Sequence, residues 1–373
     1  MWFFGWVNRV DSLVTMVSDL ARLLQEIMDV ESVSGNEREL ADLVERRLQR
    51  LPHLTVFRDG DCVVARTALG RGERVVVAGH LDTVPVAGNL PSRLIEHADG
   101  DRIWGRGACD MKGGVAVMLH LAETLTAPNR DVTWIFYDHE EVEATRNGLG
   151  RLARNRPDLI EADFAVLMEP TSAHIEGGCQ GTIRVELSTT GTAAHSARSW
   201  MGHNAIHDLA PALQTLAQYR GEEIEVDGLV YREGLNAVAI SGGMASNVIP
   251  PRATLTINYR YAPDKSGDEA LALLGRWFTG YEMEVTDLSP AARPGLTLPL
   301  AREFVDAIGE PAGPKYGWTD VARFSALGVP AVNYGPGDPA YAHRDDEFCP
   351  VSDLEKCAAG LTRWLTAAEE AHS

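Results

Sequence analysis

A chain of 373 residues is longer than one typical domain and therefore predicts two domains. The formal net charge of −19 argues against nucleic acid or an anionic membrane as a partner, but not against a small anionic substrate, because arginines can cluster locally. Five scattered cysteines without an even framework are typical of a reducing cytosol, so we expect a soluble, cytoplasmic protein.

The chain opens with the apolar and aromatic string MWFFGWV. This string lacks the basic residues, the longer apolar stretch and the small-residue cleavage site of a signal peptide. No run reaches the roughly 18 apolar residues of a membrane span. It is either a peripheral extension, or the product of an upstream start codon, or a helical turn that seeks a surface or a partner. We assign residues 1–20 to an N-terminal extension.

The first predicted elements are two helices, because apolar residues recur at helical spacing in two blocks between Ser12 and Leu51. Two short alternating strands, LTVFRD and CVVARTA, follow them. The next run, RVVVAGH at Arg74–His80, is nearly continuous in β-branched residues and predicts a strand buried on both faces. Functional sites of open α/β sheets gather at the carboxyl ends of such strands.

Helical and strand patterns then alternate along the chain. The predicted elements are a helix over Gly113–Leu125, a strand over Asp131–Asp138, a helix over about Leu149–Asn155 and a strand over Ala162–Pro170. This alternation is typical of an α/β fold with a mostly parallel central sheet and helices on both faces.

The middle of the chain has a different pattern, in which the elements follow the order β-α-β-β-α-β. Its predicted strands include Gly181–Gly191, Asn236–Gly243 and Arg252–Pro263, and its helices lie near Asn204–Tyr219 and Asp268–Phe278. That order predicts an inserted α+β, ferredoxin-like domain with an antiparallel sheet. We assign residues 181–293 to this inserted domain, and residues 21–180 and 294–373 to the larger domain that it interrupts.

The string GHLDTVP places His80 and Asp82 at the end of a buried strand. In an extended strand these side chains point to opposite faces, so both cannot bind one metal directly unless the strand ends there. We expect His80 to bind metal and Asp82 to fix its imidazole tautomer from behind. Because H-x-D is common by chance, this string has weight only together with other ligands.

The string GRGACD ends at Asp110 and begins like a dinucleotide-binding loop. A carboxylate at the third position of that fingerprint would repel a pyrophosphate, so the nucleotide interpretation fails. Asp110 either bridges metal ions or simply caps the following helix.

The string HEEVE, at residues 139–143, lacks the second His of a zincin motif and follows a strand. Of its adjacent carboxylates, Glu140 and Glu141, one can bind metal while the other acts as a general base, unless both belong to a solvated acidic loop. Glu169 ends an apolar strand, and His343 lies in a loop near the C-terminus. The chain order His, Asp, Glu-Glu, Glu, His favours a two-metal hydrolase, and no Cys has the spacing of a zinc finger.

After about its first twenty residues, the whole chain resembles the M20 family of di-zinc amidohydrolases. Within that family it is similar to the members that hydrolyse N-succinyl-L,L-2,6-diaminopimelate to succinate and L,L-diaminopimelate, a step of lysine biosynthesis. The resemblance is carried by the strings AGHLDTVPVAGNLPSR, EEVEATRNGLG, EGGCQGTIRV, AHSARSW, DGLVYREGLN, NVIP, YGWTDVARFSALG and GDPAYAH.

The resemblance implies two divalent metal ions, zinc first and cobalt or manganese as alternatives. It implies that His80 and Glu169 hold one ion, that Glu141 and His343 hold the other, and that Asp110 bridges them. Glu140 would be the general base, and Asp82 would orient His80. The inserted domain would form a homodimer, in which His195, with Asn247, reaches the partner's site and stabilises the oxyanion.

The resemblance also implies an anionic N-acyl amino acid as substrate, bound by arginines because their forked guanidinium groups suit carboxylates. Arg260 resembles the family's carboxylate-binding arginine, and the further candidates are Arg198, Thr319 and Arg323. One departure is Cys179-Gln180, which stands where many of these enzymes have a pair of arginines. Arg198 could replace that pair, or each of these arginines could belong to a surface ion pair.

The departure leaves two further hypotheses open. The chain could be another N-acyl-amino-acid deacylase, such as an acetylornithine deacetylase-like enzyme, or a dipeptidase. It could also be a dimeric binding protein that keeps the fold without turnover, although the intact Glu140 and the full ligand set argue against this.

Overall fold

The computed structural model describes residues 18–367 of the protein. Its α-helices are Asp19–Met28 (α1), Arg38–Leu48 (α2), Lys112–Thr124 (α3), Gly148–Asn155 (α4), Ala205–Asp208 (α5), Ala210–Gln218 (α6), Gly267–Trp277 (α7), Pro299–Ile308 (α8), Val321–Ala326 (α9) and Val351–Thr366 (α10). Short 3₁₀ helices are Pro157–Leu159, Ser196–Met201 and Pro339–Tyr341.

The strands form four sheets. In chain order they are Thr55–Asp59 (β1), Cys62–Arg66 (β2), Arg74–His80 (β3), Arg93–Ile95 (β4), Arg102–Trp104 (β5), Asp131–Tyr137 (β6), Phe164–Leu167 (β7), Glu176–Gly177 (β8), Gly181–Thr190 (β9), Glu223–Val226 (β10), Leu229–Arg232 (β11), Gly234–Gly242 (β12), Arg252–Tyr261 (β13), Glu282–Ser289 (β14), Gly313–Pro314 (β15), Ala331–Asn333 (β16) and Phe348–Pro350 (β17).

The largest sheet has eight strands in the order β1-β2-β6-β3-β7-β16-β8-β15. Its four central strands, β6, β3, β7 and β16, run parallel to one another. The predicted central strand is confirmed, since β3 is buried from Val75 to His80. Helices α1, α2, α3, α8 and α10 pack on one face, and α4 and α9 pack on the other. The predicted α/β class with helices on both faces is therefore confirmed.

A second sheet has four antiparallel strands in the order β12-β13-β9-β14. With α6 and α7 packed on one face of it, these elements follow the predicted β-α-β-β-α-β order. The hairpin of β10 and β11 is inserted into that order, and the sequence patterns did not predict it. The helix predicted near Asn204–Tyr219 is divided at Leu209 into α5 and α6, with a proline in the first turn of α6.

A small third sheet, β17-β5-β4, was also missed, because its strands are only three residues long. The string MWFFGWV lies outside the described residues. Within residues 18–367, no helix is both long enough and apolar enough to cross a bilayer.

Candidate metal centre

The candidate site lies at the carboxyl ends of three adjacent parallel strands. His80 is the last residue of β3, Glu140 and Glu141 follow the end of β6, and Glu169 follows the end of β7. Parallel strands bring these ends to one edge of the sheet, where ligands of open α/β sheets are usually bound. Two loops add the remaining groups, Asp110 just before α3 and His343 just after the helical turn at 339–341.

Asp110 is the group around which the candidate ligands gather. Its Oδ1 lies 3.2 Å from His80 Nε2, and its Oδ2 lies 3.3 Å from His343 Nε2. His343 Nε2 is also 3.0 Å from Glu141 Oε1. Four of the five predicted metal ligands are therefore close together, and one carboxylate faces both histidines.

The potential ligand atoms fall into overlapping groups in which all atoms lie within 4.8 Å of one another. These groups are His80, Asp110 and Glu169; Asp110, Glu141 and His343; and His80, Glu140 and Glu141. The first two groups share only Asp110. Imidazole and carboxylate donors in sets of three suit zinc and related divalent ions, and they leave positions open for water and substrate.

Asp82 contacts His80 more closely through its backbone than through its side chain. The carbonyl oxygen of Asp82 lies 2.9 Å from His80 Nδ1, whereas its carboxylate oxygen Oδ1 is 3.6 Å away. That carboxylate accepts hydrogen bonds from the backbone N–H groups of Glu140 and Glu141, each at 3.0 Å, and from the hydroxyl of Ser34 at 2.6 Å. Asp82 thus fixes the turn that carries both glutamates as well as the imidazole.

The electrostatics of the site suit cations. Burial, with the charge of Asp110, raises the pKa of Glu169 to about 7 against the opposing charge of His80. Hydrogen bonds to Asp110 and Glu141 raise the pKa of His343 to about 10. Oε1 of Glu169 is buried without any hydrogen-bond partner among the residues that the structure describes. An orphaned carboxylate oxygen beside an imidazole and a second carboxylate is the arrangement that a bound metal ion would satisfy.

Glu140 belongs to neither of the two ligand groups that share Asp110, so its carboxylate is available for another role. Burial raises the pKa of Glu140 well above its ordinary value, and repulsion by Glu169 and Asp320 adds to the rise against the charge of His80. A carboxylate with a raised pKa beside a metal site has the properties of a general base. Glu140 also lines a cavity of about 810 Å³, so it faces the space that a substrate could enter.

Sequence reasoning missed a buried glutamate that supports the Asp110 loop. One carboxylate oxygen of Glu347 accepts the backbone N–H groups of Cys109, at 3.1 Å, and Asp110, at 3.2 Å. Its other oxygen accepts a hydrogen bond from buried Arg106 at 2.9 Å. The small sheet explains the contact, because β17 follows Glu347 and pairs with β5 just before Arg106. Local sequence patterns could not reveal this contact, because Glu347 and Asp110 are 237 positions apart in the chain.

His195 and Asn247 lie together, and neither belongs to the groups of candidate ligands. A bridge pairs His195 with Val248, and the backbone carbonyl of Asn247 accepts a hydrogen bond from Ser196 at 2.8 Å. Both His195 and Asn247 are exposed, and neither lines the cavity beside Glu140.

The predicted substrate-binding residues have different surroundings. Arg260 and Arg323 both line the cavity, whereas Arg198 is exposed and lies outside it. Arg323 is paired with buried Asp320 and lies over the ring of Trp318. Thr319 is buried and donates its hydroxyl to Asn333 at 2.9 Å. Of these two predicted arginines, Arg260 therefore has the more open guanidinium.

Comparison with known families identifies the class of protein. A family model described as Peptidase family M20/M25/M40 matches residues 76–367, which include every predicted metal ligand. The chain belongs to this family, and the resemblance stated from its motifs is confirmed.

Two curated relatives are similar over nearly their whole length. A protein of Mycobacterium tuberculosis, provisionally named succinyl-diaminopimelate desuccinylase, is 51% identical over 356 residues, covering 95% of this chain and 99% of its own. The succinyl-diaminopimelate desuccinylase of Corynebacterium glutamicum is 44% identical over 364 residues, covering 94% of this chain and 97% of its own.

Solved structures support the fold. A tripeptidase from Staphylococcus aureus has a TM-score of 0.76 at 20% identity, covering 93% of this chain and 96% of its own. A Bacillus subtilis protein described as a dinuclear metal-binding peptidase of the M20 family has a TM-score of 0.68 at 15% identity, covering 93% and 96%. At these identities the similarity establishes the shared architecture.

Proposed function

We propose that this protein is a metal-dependent amide hydrolase that converts N-succinyl-L,L-2,6-diaminopimelate and water to succinate and L,L-diaminopimelate. The observation that carries the chemistry is the carboxylate of Asp110, which faces both histidines beside the half-buried carboxylate of Glu140, the proposed general base. The choice of substrate rests on the two desuccinylase relatives, which match the chain from end to end.

The cofactor in this proposal is a pair of divalent ions, zinc first and cobalt or manganese as alternatives. His80 and Glu169 would hold one ion, Glu141 and His343 the other, and Asp110 both. When bound, such ions would polarise the amide carbonyl and lower the pKa of a water molecule toward about 7.

The chain's own residues account for the proton movements. Glu140 takes a proton from the attacking water and returns it to the leaving amine, which must be protonated to depart. Asp82 holds the turn of Glu140 and Glu141 by accepting their backbone N–H groups, so the base stays aligned with the cavity. Arg260 binds a substrate carboxylate at the cavity wall.

A homodimer in which His195 serves the partner's site also belongs to the proposal. Strand β12 lies at the edge of its sheet, and the exposed fractions of Val238 and Ile240 on it are 57% and 55%. An apolar, unpaired sheet edge is a typical association surface. His195 would donate a hydrogen bond to the oxyanion, a contact worth about 3–4 kcal/mol in comparable sites. A cytoplasmic location remains a prediction.

The experiment that tests the function measures succinate release from N-succinyl-L,L-2,6-diaminopimelate by purified, zinc-loaded protein. N-acetylornithine and a dipeptide serve as competing substrates. Glu140→Gln should keep both metal ions and lose about 10²–10⁴-fold in kcat, because the amide cannot accept the proton. Wild-type turnover by this variant would contradict the assignment of the base.

The outcome also decides between the alternatives. The buried pair Cys179 and Gln180 favours a second candidate, another N-acyl-amino-acid deacylase or a dipeptidase, because it supplies no arginine. Activity on N-acetylornithine or the dipeptide alone would select that candidate. Full metal loading without turnover of any of the three substrates would select the binding protein.

A further inference from the structure

The cavity beside Glu140 has a wall of which the proposed mechanism uses only Arg260. This wall is one face of the four-stranded sheet, and its residues are Thr182 and Arg184 on β9, Arg260 on β13, and Thr286, Asp287 and Ser289 on β14. At about 810 Å³ the cavity lies within the range of roughly 300–1,000 Å³ that is usual for small-molecule sites. Glu140 and Glu141 line the same cavity, so a molecule bound on the wall can reach the candidate metal centre.

Strand register brings three charged side chains onto this wall. Arg184 pairs with Asn258 on one side and with Asp287 on the other, and Arg260 is two residues beyond Asn258. Paired residues of adjacent strands share a face, as do residues two apart in one strand. Arg184 therefore lies between Arg260 and Asp287.

Among residues 18–367, Arg184 and Arg260 have no ion-pair partner. Within the part of the chain that the structure describes, no carboxylate oxygen lies within 4.0 Å of a nitrogen of Arg184 or Arg260. Arg323, at the far side of the cavity, is by contrast already paired with Asp320. Burial, with the like charge of Arg184, lowers the pKa of Arg260 against the opposing charge of Asp287. Two open guanidinium groups in one cavity suit a ligand that has more than one carboxylate.

The residues in place of the expected arginine pair cannot fill this role. Cys179 is buried, with its thiol 3.8 Å from the backbone carbonyl of Thr319. Gln180 is also buried and donates its amide to the carbonyl of Arg232 at 2.7 Å. Neither side chain lines the cavity, whereas Arg184, four positions further along, does.

We propose that Arg184 and Asp287 together bind the free amino-acid end of the substrate, which carries both a carboxylate and an ammonium group. Arg184 binds the carboxylate, Asp287 binds the ammonium, and Arg260 binds the carboxylate next to the scissile amide. The succinyl end of the substrate has a carboxylate but no cation, so Asp287 would repel it. This assignment rests on the proposed function, because it names the substrate groups that the same cavity recognises.

The test uses two substrate analogues that each lack one group at the free end. Nα-succinyl-L-lysine lacks the distal carboxylate, and N-succinyl-2-aminopimelate lacks the distal ammonium. Arg184→Gln should lower kcat/KM for the full substrate by about 10- to 100-fold, the loss expected for hydrogen bonds to a charged group. The same variant should leave kcat/KM for Nα-succinyl-L-lysine within about twofold of wild type, since that analogue has nothing for Arg184 to bind.

Asp287→Asn should behave in the complementary way. It should lower kcat/KM for the full substrate but leave N-succinyl-2-aminopimelate nearly unchanged. Arg302→Gln, a change at an exposed arginine on α8, is the matched control and should alter no substrate. Retained turnover of the truncated analogues by the variants also shows that they are folded and loaded with metal.

The outcomes separate this inference from the proposed function. Equal losses on the full substrate and on both analogues, or no loss on any, would overturn the roles of Arg184 and Asp287 while leaving the desuccinylase activity intact. Failure of the wild type to release succinate from the full substrate would overturn both proposals. The inference is supported if each variant loses activity on the full substrate and on the analogue that keeps the group bound by the altered residue, while the analogue without that group is turned over as by wild type.

Discussion

At the scale of single residues, the sequence identified four of the five groups that can bind metal because each follows a recognisable strand end or glycine-rich loop, whereas His343 lies in a loop near the C-terminus. His80, Glu141 and Glu169 could be located from their strands, and the structure brings them together with Asp110 and His343. The supporting residues could not be found in this way. Ser34 and Glu347 act through contacts 48 and 237 positions away in the chain, so no local pattern reveals them.

Glu347 leads to a prediction about metal affinity. Glu347→Gln should weaken metal binding by about 10- to 100-fold, the effect typical of residues that support ligands. The physical reason is that both oxygens of Glu347 accept hydrogen bonds, from Arg106 on one side and from the Asp110 loop on the other. An amide has only one acceptor oxygen, so its NH₂ group must face a donor. Titration of metal-free protein with zinc against a competing chelator measures the change.

The control for this experiment is Glu355→Gln, which makes the same chemical change at an exposed position of α10. Its zinc affinity should equal that of wild type. If Glu347→Gln also bound zinc with wild-type affinity, the Asp110 loop would not depend on Glu347.

At the scale of elements, long periodic segments were predicted well and short or interrupted ones were not. The buried run of β3 and the alternation around it have a strong pattern, and both are confirmed. Strands β4, β5 and β17 have only three residues each, too few to show a period. The division of the helix at Leu209 follows from Pro211, whose lack of an N–H group suits the first turn of a new helix.

Strand β12 and the neighbouring His195 loop lead to a complementation prediction. Glu140→Gln and His195→Ala should each be nearly inactive alone, yet co-expression of the two should restore activity. In a mixed dimer, the subunit with intact Glu140 receives an intact His195 from its partner. Random pairing would restore about a quarter of the wild-type sites, because half of the dimers are mixed and each has one complete site. Succinate release by the purified mixture measures the recovery.

A second substitution tests whether the partner contacts β12. Val238→Asp in both chains places a charge on the exposed apolar edge and should yield a monomer that cannot complement. Gln214→Asp, at an exposed position of α6, is the matched control and should leave the complementation unchanged. Activity of a monomeric protein with His195 intact would contradict a role for that residue across the interface.

At the scale of the whole molecule, the order of elements in the chain predicted the two sheets but not how their edges meet. The parallel core and the antiparallel strands follow from β-α alternation and from the β-α-β-β-α-β order. The shape of the cavity between them depends on contacts between distant loops. The boundaries assigned at residues 180 and 293 remain predictions.

The crowded site should make the stability of the metal-free protein depend on pH. In the folded protein the pKa of Glu169 is raised from 4.5 to about 7. The stability that protonated Glu169 contributes is therefore fully present below pH 4.5 and is lost as the pH rises to 7. The pKa of His343 is raised from 6.5 to about 10, so the stability that its charged form contributes is lost as the pH rises through that range. Both effects lower the free energy of unfolding between pH 5 and 9. Denaturant unfolding in EDTA should show a loss on the order of 3 kcal/mol from Glu169 alone.

Metal-loaded protein provides the comparison, because bound cations replace the protons that these groups would otherwise hold. At pH 8, chelation should therefore destabilise the protein more than at pH 6. Metal-free Glu169→Gln should lose the part of the pH dependence below pH 7. Parallel pH profiles for metal-free wild type and Glu169→Gln would show that Glu169 does not carry the effect.

The cavity has walls from two different sheets, and this division has an evolutionary consequence. The groups that can cleave an amide follow strands of the central sheet, while the open face of β9, β13 and β14 lines another part of the cavity. Substitutions on that face can therefore change which acyl compound is accepted without disturbing the hydrolytic apparatus. An ancestral enzyme can thus acquire new substrates through substitutions at single positions of these strands while it keeps the same hydrolytic reaction.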